Sequence, residues 1–276
     1  MINAEIAINM EKELRVTAGK SLLAQSVTIE GPLDAPALLL VHGIHLGRYS
    51  WQPHVQILRR NFRVATIDLP RHGTMYTVPF TREEIFAQLN YVVQEHLACA
   101  PVMIGYSLGG YCITQFAEAS PDSSRGLLLA GCSLDPTTWR SSAYSALAGL
   151  GGHVPPPFLD SLGSMFFRMT LKPDLAQAII ENPFNRRAFM ESHVMLGAQS
   201  YSKMLSEYPH PVLVANGEYD FIFRPHEKRF IKEARAQGRI VRGSDHVFPL
   251  RRPQEFCAMI EEFAQRIILQ QQPLPL

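Results

Sequence analysis

One short segment constrains the fold more than any other part of the chain. An apolar run at residues 102–106 is followed by Ser107, and glycines occupy positions 105, 109 and 110. This Gly-x-Ser-x-Gly pattern is typical of a serine on a sharp turn between a strand and a helix. The backbone of such a serine is strained, so the residues two before it and two after it must lack side chains. The segment therefore predicts a strand, a nucleophilic Ser107 and a helix that begins at Leu108.

Apolar runs elsewhere predict further strands, and amphipathic stretches between them predict helices. The predicted strands cover residues 22–29, 37–41, 63–67, 102–106, 126–132, 212–215 and 239–241. The predicted helices cover residues 49–59, a segment capped by Thr81 with Glu84 three positions on, the segment after Ser107, and residues 226–237 and 253–269. Strands that alternate with helices favour a parallel sheet. The sequence thus predicts an α/β fold with a mostly parallel central sheet flanked by helices.

The alternation stops between residues 134 and 209, where several short helical patterns occur without a strand pattern. We therefore predict an inserted helical cap at residues 134–209. The α/β core would then comprise residues 1–133 as its first part and residues 210–276 as its second part.

The composition argues against several other classes of function. The 276 residues carry a formal net charge of +1, which gives no reason to expect nucleic acid or an anionic membrane as a partner. Apolar runs fall short of the roughly 20 residues that span a bilayer. The first 20 residues lack the apolar core of a signal peptide, so we expect a cytoplasmic protein. The four cysteines lack the spacing of a zinc site or a disulfide framework.

The predicted nucleophile needs a base, because a serine hydroxyl is weakly nucleophilic at neutral pH. Of the ten histidines, His246 is the best candidate, since it lies in a loop between the last predicted strand and the last predicted helix. Loops at the carboxyl ends of strands carry the chemistry of open α/β sheets. His42 ends an earlier strand, and we expect it to brace the neighbouring loop through hydrogen bonds.

The base in turn needs a carboxylate, which in this arrangement lies between the serine and the histidine in chain order. Asp220 fits best, because it follows the strand predicted at residues 212–215. Glu218 is a near neighbour that only geometry excludes. Asp135, which follows the strand predicted at residues 126–132, is the main rival.

A tetrahedral intermediate needs two backbone N–H groups directed at its oxyanion. One should come from Leu108, directly after the nucleophile. The other should come from the loop after His42 and Gly43, with Ile44 favoured over His45. These are backbone roles, so the side chains at these positions carry no information about the chemistry.

With these residues in view, nearly the whole chain resembles the α/β-hydrolase superfamily, and more narrowly its capped esterases, lipases and carbon–carbon bond hydrolases. The resemblance rests on His42-Gly43-Ile44, Asp68-Leu69-Pro70-Arg71-His72-Gly73, the segments 105–110 and 216–220, and Gly243-Ser244-Asp245-His246. Relatives with aspartate as nucleophile form an alkyl-enzyme ester, a route that Ser107 does not allow. Arg71 stands where the family usually has glycine. We interpret it as a solvated turn arginine, with a positive charge near the edge of the cap as the alternative.

This resemblance implies hydrolysis of a small-molecule carboxylic ester without a metal or organic cofactor. The aromatic and methionine content of residues 134–209 favours a fairly hydrophobic substrate. Arg168, Arg186 and Arg187 are interpreted as exposed helix residues rather than ligands for a substrate carboxylate. A carbon–carbon hydrolase, a lactonase, a thioesterase and a perhydrolase remain alternatives on the same triad. A non-catalytic ligand-binding protein of this fold is the alternative from another class.

Overall fold

A single seven-stranded sheet forms the centre of the molecule. The computed structural model describes residues 19–135, 156–181, 185–197 and 199–271, with the backbone alone at residues 156–160, 162, 270 and 271. The strands within these ranges are β1 (Val27–Glu30), β2 (Ala37–Val41), β3 (Arg63–Ile67), β4 (Val102–Tyr106), β5 (Gly126–Ala130), β6 (Val212–Gly217) and β7 (Gln237–Val241). Their order is β1-β3-β2-β4-β5-β6-β7. β1 is antiparallel to β3, and all the other pairs are parallel.

Helices follow most of the strands. Within the described ranges, apart from the helical residues 19–25 before β1 and short 3₁₀ turns, they are α1 (Gln52–Leu58), α2 (Arg82–His96), α3 (Leu108–Ala119), α4 (Pro156–Thr170), α5 (Pro173–Ile180), α6 (Arg186–Leu196), α7 (Tyr201–Ser206), α8 (Glu227–Glu233), α9 (Phe248–Arg251) and α10 (Pro253–Gln271). The side chain of Thr81 caps α2 by accepting a hydrogen bond from the Glu84 N–H at 3.3 Å. This contact confirms the capping pattern predicted from the sequence.

The helices cover both faces of the sheet, because successive residues of a strand point to opposite sides. On β2, Leu39 and Val41 pack into one hydrophobic cluster with residues of α2, α3, α7 and α8. Leu38 and Leu40 pack into a second cluster on the other face, with residues of α1, α5 and α10. All five residues of β2 are buried, which accounts for its uninterrupted apolar sequence.

The parallel register brings the loops that carry the candidate residues to one edge of the sheet. Val41 pairs with Gly105, Tyr106 with Ala130, and Ala130 with Ala215. The chain segments after β2, β4, β5 and β6 therefore all leave the sheet at its carboxyl edge. Open parallel sheets bind their ligands at this edge.

The α/β fold with a mostly parallel sheet is confirmed, but some predicted boundaries are wrong. Residues 19–25 are helical, and only residues 27–29 of the strand predicted at residues 22–29 are extended, as part of β1. The Ser26 side chain, which donates to the Leu23 carbonyl at 2.7 Å, stabilises the end of this helical turn. β5 ends at Ala130, two residues early, because Gly131 turns the chain with φ 63°.

The stretch predicted as a helical insertion contains α4 to α7, and its described residues include no strand. Residues 136–155, 182–184 and 198 of the predicted cap lie outside the described residues. The cap boundaries at residues 134 and 209 therefore stay a prediction. None of the helices in the described ranges has the length and apolar character needed to cross a bilayer.

Candidate active site

Ser107 lies on a strained turn between β4 and α3. Its φ of 52° and ψ of −118° fall in a region that costs a residue with a side chain about 1–3 kcal/mol. Two backbone bonds hold the turn: the Ser107 N–H donates to the Ala130 carbonyl at 2.8 Å, and the Gly110 N–H donates to the Ser107 carbonyl at 3.0 Å. The hydroxyl is thereby presented at the carboxyl edge of the sheet.

Close backbone packing explains the glycines on either side of Ser107. A Cβ at Gly105 would lie 2.4 Å from Gly110 Cα, and a Cβ at Gly109 would lie 2.3 Å from the Val41 carbonyl oxygen. Both distances are far below the roughly 3.5 Å of normal atomic contact. The first turn of α3 therefore lies directly against β4 and the end of β2, which only glycine permits.

His246 connects Ser107 to a buried carboxylate. Its Nε2 lies 3.2 Å from Ser107 Oγ, and its Nδ1 lies 2.8 Å from Asp220 Oδ2. An ionised carboxylate only accepts hydrogen bonds, so Nδ1 carries the proton that is donated to Asp220. Nε2 of the neutral ring is then the acceptor that faces the Ser107 hydroxyl. The fold brings together three side chains that the sequence places far apart.

The loop after β6 fixes the orientation of Asp220. Its Oδ1 accepts hydrogen bonds from the backbone N–H groups of Ile222 at 3.2 Å and Phe223 at 3.1 Å. The side chain is buried, so no water competes for these contacts. With Oδ1 engaged by the backbone, Oδ2 is left to face His246.

Two aromatic rings and one glycine determine where the His246 imidazole lies. The Phe223 ring stacks on it with centroids 4.9 Å apart and planes 16° apart, and the Tyr106 ring contacts it at 5.3 Å. A Cβ at Gly131 would lie 2.7 Å from Cε1 of the imidazole. Sequence reasoning missed Phe223 and Gly131. The one sequence feature that could have indicated Gly131 is its position as a glycine at the end of a buried strand.

The two alternative carboxylates make other contacts. Asp135 accepts hydrogen bonds at the start of α7, including one from the Tyr201 N–H at 2.7 Å. Glu218 accepts from the Gly243 N–H at 2.8 Å and so ties the loop after β6 to the loop after β7. Among the described contacts of His246, its carboxylate partner is Asp220.

The loop after β2 lies against Ser107. A Cβ at Gly43 would lie 3.1 Å from Ser107 Cβ, so this loop and Ser107 are in direct contact. The N–H groups of Ile44 and Leu108 are not donors in any loop hydrogen bond of the described chain. The role of these two amides as oxyanion donors stays a prediction.

His42 holds this loop in place as a neutral ring. Its Nδ1 donates to the Gly43 carbonyl at 2.8 Å, and its Nε2 accepts from the Leu69 N–H at 3.0 Å. Complete burial lowers the pKa of His42 to about 4, so it is uncharged at neutral pH. The bracing contacts expected from the sequence are present, and they reach to the segment after β3.

The interpretation of Arg71 as a solvated turn residue is wrong. Its side chain is 11% exposed, and its guanidinium binds Glu191 of α6 through two contacts of 2.8 and 2.7 Å. Sequence reasoning missed Glu191, because no local pattern relates residues 120 positions apart. Arg168, Arg186 and Arg187 are exposed, as expected.

Metal binding finds no support in the described residues. These residues contain no group of three or more His, Cys, Asp or Glu side chains placed to hold a metal ion. The four cysteines are free thiols, and three of them are buried.

Comparison with known families agrees with this geometry. The model of the alpha/beta hydrolase family matches residues 38–259. The chain belongs to this family. The match covers the sheet from β2 onward together with Ser107, Asp220 and His246. The expectation of an enzyme of the α/β-hydrolase type is thus confirmed.

Individual relatives are more distant. A pimeloyl-[acyl-carrier protein] methyl ester esterase of Vibrio atlanticus is 27% identical over 261 residues, which cover 84% of this chain and 96% of that protein. A protein of the same name from Aeromonas hydrophila is 25% identical over 86% of this chain and 99% of its own length. The solved structure of an esterase from Thermogutta terrifontis covers 88% of this chain and 93% of its own, with a TM-score of 0.72 and 22% identity. At that identity, the structural likeness establishes the fold alone.

Proposed function

We propose that the protein hydrolyses a carboxylic ester through an acyl-enzyme formed on Ser107. The observation that carries this proposal is the continuous set of contacts from Ser107 Oγ to His246 and from His246 to Asp220, at 3.2 and 2.8 Å. A nucleophile, a base and an orienting carboxylate in this arrangement are suited to acyl transfer. The relatives named as methyl ester esterases support the same reaction type.

In the first half of the reaction, Ser107 Oγ attacks the ester carbonyl carbon while His246 Nε2 takes the hydroxyl proton. The imidazolium that results is stabilised by Asp220, whose Oδ2 accepts the Nδ1 proton without taking it. The carbonyl oxygen becomes an oxyanion, which receives hydrogen bonds from the backbone N–H groups of Ile44 and Leu108. Collapse of the tetrahedral intermediate breaks the bond to the alkoxy group, and His246 gives its proton to the departing alcohol.

In the second half, water attacks the Ser107 acyl ester. His246 Nε2 takes one proton from this water, and the same two amides stabilise the second oxyanion. Collapse then releases the carboxylic acid, and the proton returns to Ser107 Oγ. No redox step or group transfer other than acyl transfer is involved.

We propose that the acyl group is fairly hydrophobic and that residues 134–209 act as a cap over it. Ile44 and Met195 of α6 pack on the same hydrophobic cluster as Leu108, Leu134 and Phe223. These side chains come from the loops around Ser107 and from the insertion. Apolar surface of this kind favours an alkyl chain over a small charged metabolite.

The test is the initial rate of hydrolysis of p-nitrophenyl and methyl esters of graded acyl length. Turnover should peak at one chain length and disappear in Ser107→Ala. Ser206→Ala is a matched control, because its hydroxyl contacts only neighbouring groups of its own segment. This control should keep the wild-type rate.

No Ser107-dependent turnover of any ester would contradict the proposal. Labelling of Ser107 by a fluorophosphonate together with such a result would support a ligand-binding protein. Turnover that survives Ser107→Ala would exclude the acyl-enzyme.

A further inference from the structure

Helix α6 of the insertion is attached to the segment after β3 by a bidentate ion pair. Arg71 Nε donates to Glu191 Oε2 at 2.8 Å, and Arg71 Nη2 donates to Glu191 Oε1 at 2.7 Å. The two parallel contacts raise the pKa of Arg71 and lower the pKa of Glu191, so both groups are charged. Paired geometry of this kind fixes direction as well as distance, unlike a single contact between two flexible side chains.

Further hydrogen bonds extend the attachment beyond the ion pair. Glu191 Oε2 also accepts from the Phe80 N–H at 2.7 Å. At the start of α6, Asn185 Nδ2 donates to the Arg71 carbonyl at 3.0 Å and to the Tyr76 carbonyl at 3.3 Å. Asn185 also caps α6 through its Oδ1. The segment from Arg71 to Phe80 is thus joined to α6 at two points, six residues apart on the helix.

Arg71 itself has a strained backbone, with φ 65°. A residue with a side chain at positive φ is less stable than glycine there. The chain has arginine at this strained position, and the arginine side chain makes both contacts with Glu191. The arginine side chain therefore has a specific structural use at this turn.

The segment joined to α6 is also the segment that holds the oxyanion loop. Two residues before Arg71, the Leu69 N–H donates to His42 Nε2, and His42 Nδ1 donates to the Gly43 carbonyl. A continuous series of contacts therefore runs from Glu191 through Arg71 to the loop that carries Ile44. Near the other end of α6, the Met195 carbonyl accepts from Gln115 of α3 at 3.4 Å.

We propose that Arg71 and Glu191 are positioning residues that fix α6 relative to the oxyanion loop and thereby set the acyl chain length accepted next to Ser107. The proposal rests on the proposed ester hydrolysis for its kinetic part. Met195 of α6 and Ile44 of this loop both pack against the hydrophobic cluster that includes Leu108, so α6 and the loop share one apolar layer. In this proposal, a displacement of α6 changes the space beside Ser107. The described side-chain contacts of Arg71 and Glu191 do not include Ser107, His246 or Asp220.

The test compares Arg71→Met, Glu191→Gln and the double variant with wild type on esters of graded acyl length. Each single variant should raise KM for the acyl chain that wild type prefers at least fivefold, while kcat on the acetyl ester stays within twofold. The double variant should resemble the single variants, because each substitution already removes the same contact. Arg239→Met is the matched control. Arg239 lies on β7, and it forms a half-exposed ion pair with Glu262 of α10. It should leave the chain-length profile unchanged.

A second measurement does not depend on turnover. Hydrogen exchange of the α6 amides should be faster in Arg71→Met than in wild type, and unchanged in Arg239→Met. Unchanged α6 exchange, additive effects in the double variant, or an equal loss of rate on all chain lengths would overturn the proposal. Glu191→Gln serves if Arg71→Met does not fold, because glutamine still accepts from the Phe80 N–H. Wild type without esterase activity would contradict only the proposed function, and the exchange data would still decide the positioning role.

Discussion

In the proposed mechanism, the two sides of Ser107 use different groups. The proposed acid–base side consists of the His246 and Asp220 side chains, which come from the loops after β7 and β6. The proposed amide side consists of the backbone N–H groups of Ile44 and Leu108, with glycines and the neutral His42 packed around them. One side would then depend on functional groups and the other on shape. Substitutions on the two sides should therefore have different effects on kcat and on stability.

The largest effect is expected on the acid–base side. Asp220→Asn preserves the size of the side chain but presents an amide to His246 Nδ1, which favours the wrong tautomer. We expect kcat on the preferred ester to fall by roughly 10⁴-fold with little change in KM. Steady-state kinetics with the purified variant measure this.

Asp135→Asn is the control for that substitution, because Asp135 was the rival acid and caps α7 instead. It should keep near-wild-type activity. A loss of the same size in Asp135→Asn, or an active Asp220→Asn, would disprove the assignment of the acid.

A smaller but still large effect is expected from shape on the amide side. Gly109→Ala places a methyl group 2.3 Å from the Val41 carbonyl oxygen and must push α3 away from β2. We expect a rate about 100-fold lower, together with a loss of stability of about 1–3 kcal/mol. Kinetics and urea unfolding measure the two effects.

Gly163→Ala is the matched control, since a Cβ there meets nothing within 4 Å and the residue lies inside α4. Its activity should be unchanged, and helix propensity predicts a gain of up to about 1 kcal/mol. Equal behaviour of the two variants would show that the close packing at Gly109 does not matter.

His42→Phe tests the bracing of the amide side without touching Ser107, His246 or Asp220. The phenyl ring is of similar shape but leaves the Leu69 N–H without a partner, and the Gly43 carbonyl keeps the Leu46 N–H at 3.3 Å as a donor. An unpaired buried N–H costs about 1–3 kcal/mol, so the loop should loosen. We expect kcat to fall about tenfold, whereas labelling of Ser107 by a fluorophosphonate should be slowed less than in Asp220→Asn. If labelling were slowed equally in His42→Phe and Asp220→Asn, the proposed difference between the acid–base side and the amide side would be wrong.

The smallest effect concerns stability in mild acid. In the unfolded chain the pKa of His42 is 6.5, and burial lowers it to about 4 in the fold. Below pH 6.5 the unfolded chain therefore binds a proton that the folded chain rejects until about pH 4. His42 thus lowers stability as pH falls through this window and has no effect above it, by about 2 kcal/mol at pH 5.

The measurement is the free energy of unfolding in urea at pH 7.5 and at pH 5. Wild type should lose more stability between these values than His42→Phe does. His72, also buried, has a pKa of about 3 and adds a similar slope to both proteins. Parallel losses in wild type and variant would contradict the neutral, buried state of His42.

Local patterns predicted those features that depend on neighbours in sequence. Continuous apolar runs located β2 and β3, and Gly105 with Gly109 located the nucleophile turn. Residue type and chain order singled out His246 and Asp220, although only the fold places them within hydrogen-bond distance.

Features that depend on distant contacts were not predictable in the same way. Phe223 stacks on an imidazole 23 positions later, and Arg71 binds a carboxylate in an insertion helix. The sequence around an arginine in a turn does not indicate which carboxylate the arginine binds. A phenylalanine three residues after an aspartate indicates only an apolar position. The first predicted strand failed because Leu22 and Leu23 suit a helical turn as well as a strand.

The separation of Ser107 and His246 along the chain has a consequence for biosynthesis. His246 is 139 residues after the nucleophile, with the whole insertion between them. At about 5–20 residues per second, the ribosome needs roughly 7 to 30 seconds to add this length. During that interval the nascent chain contains Ser107 without its proposed base. In the proposed mechanism, the hydroxyl therefore becomes reactive only after β7 and the loop that follows it have joined the sheet.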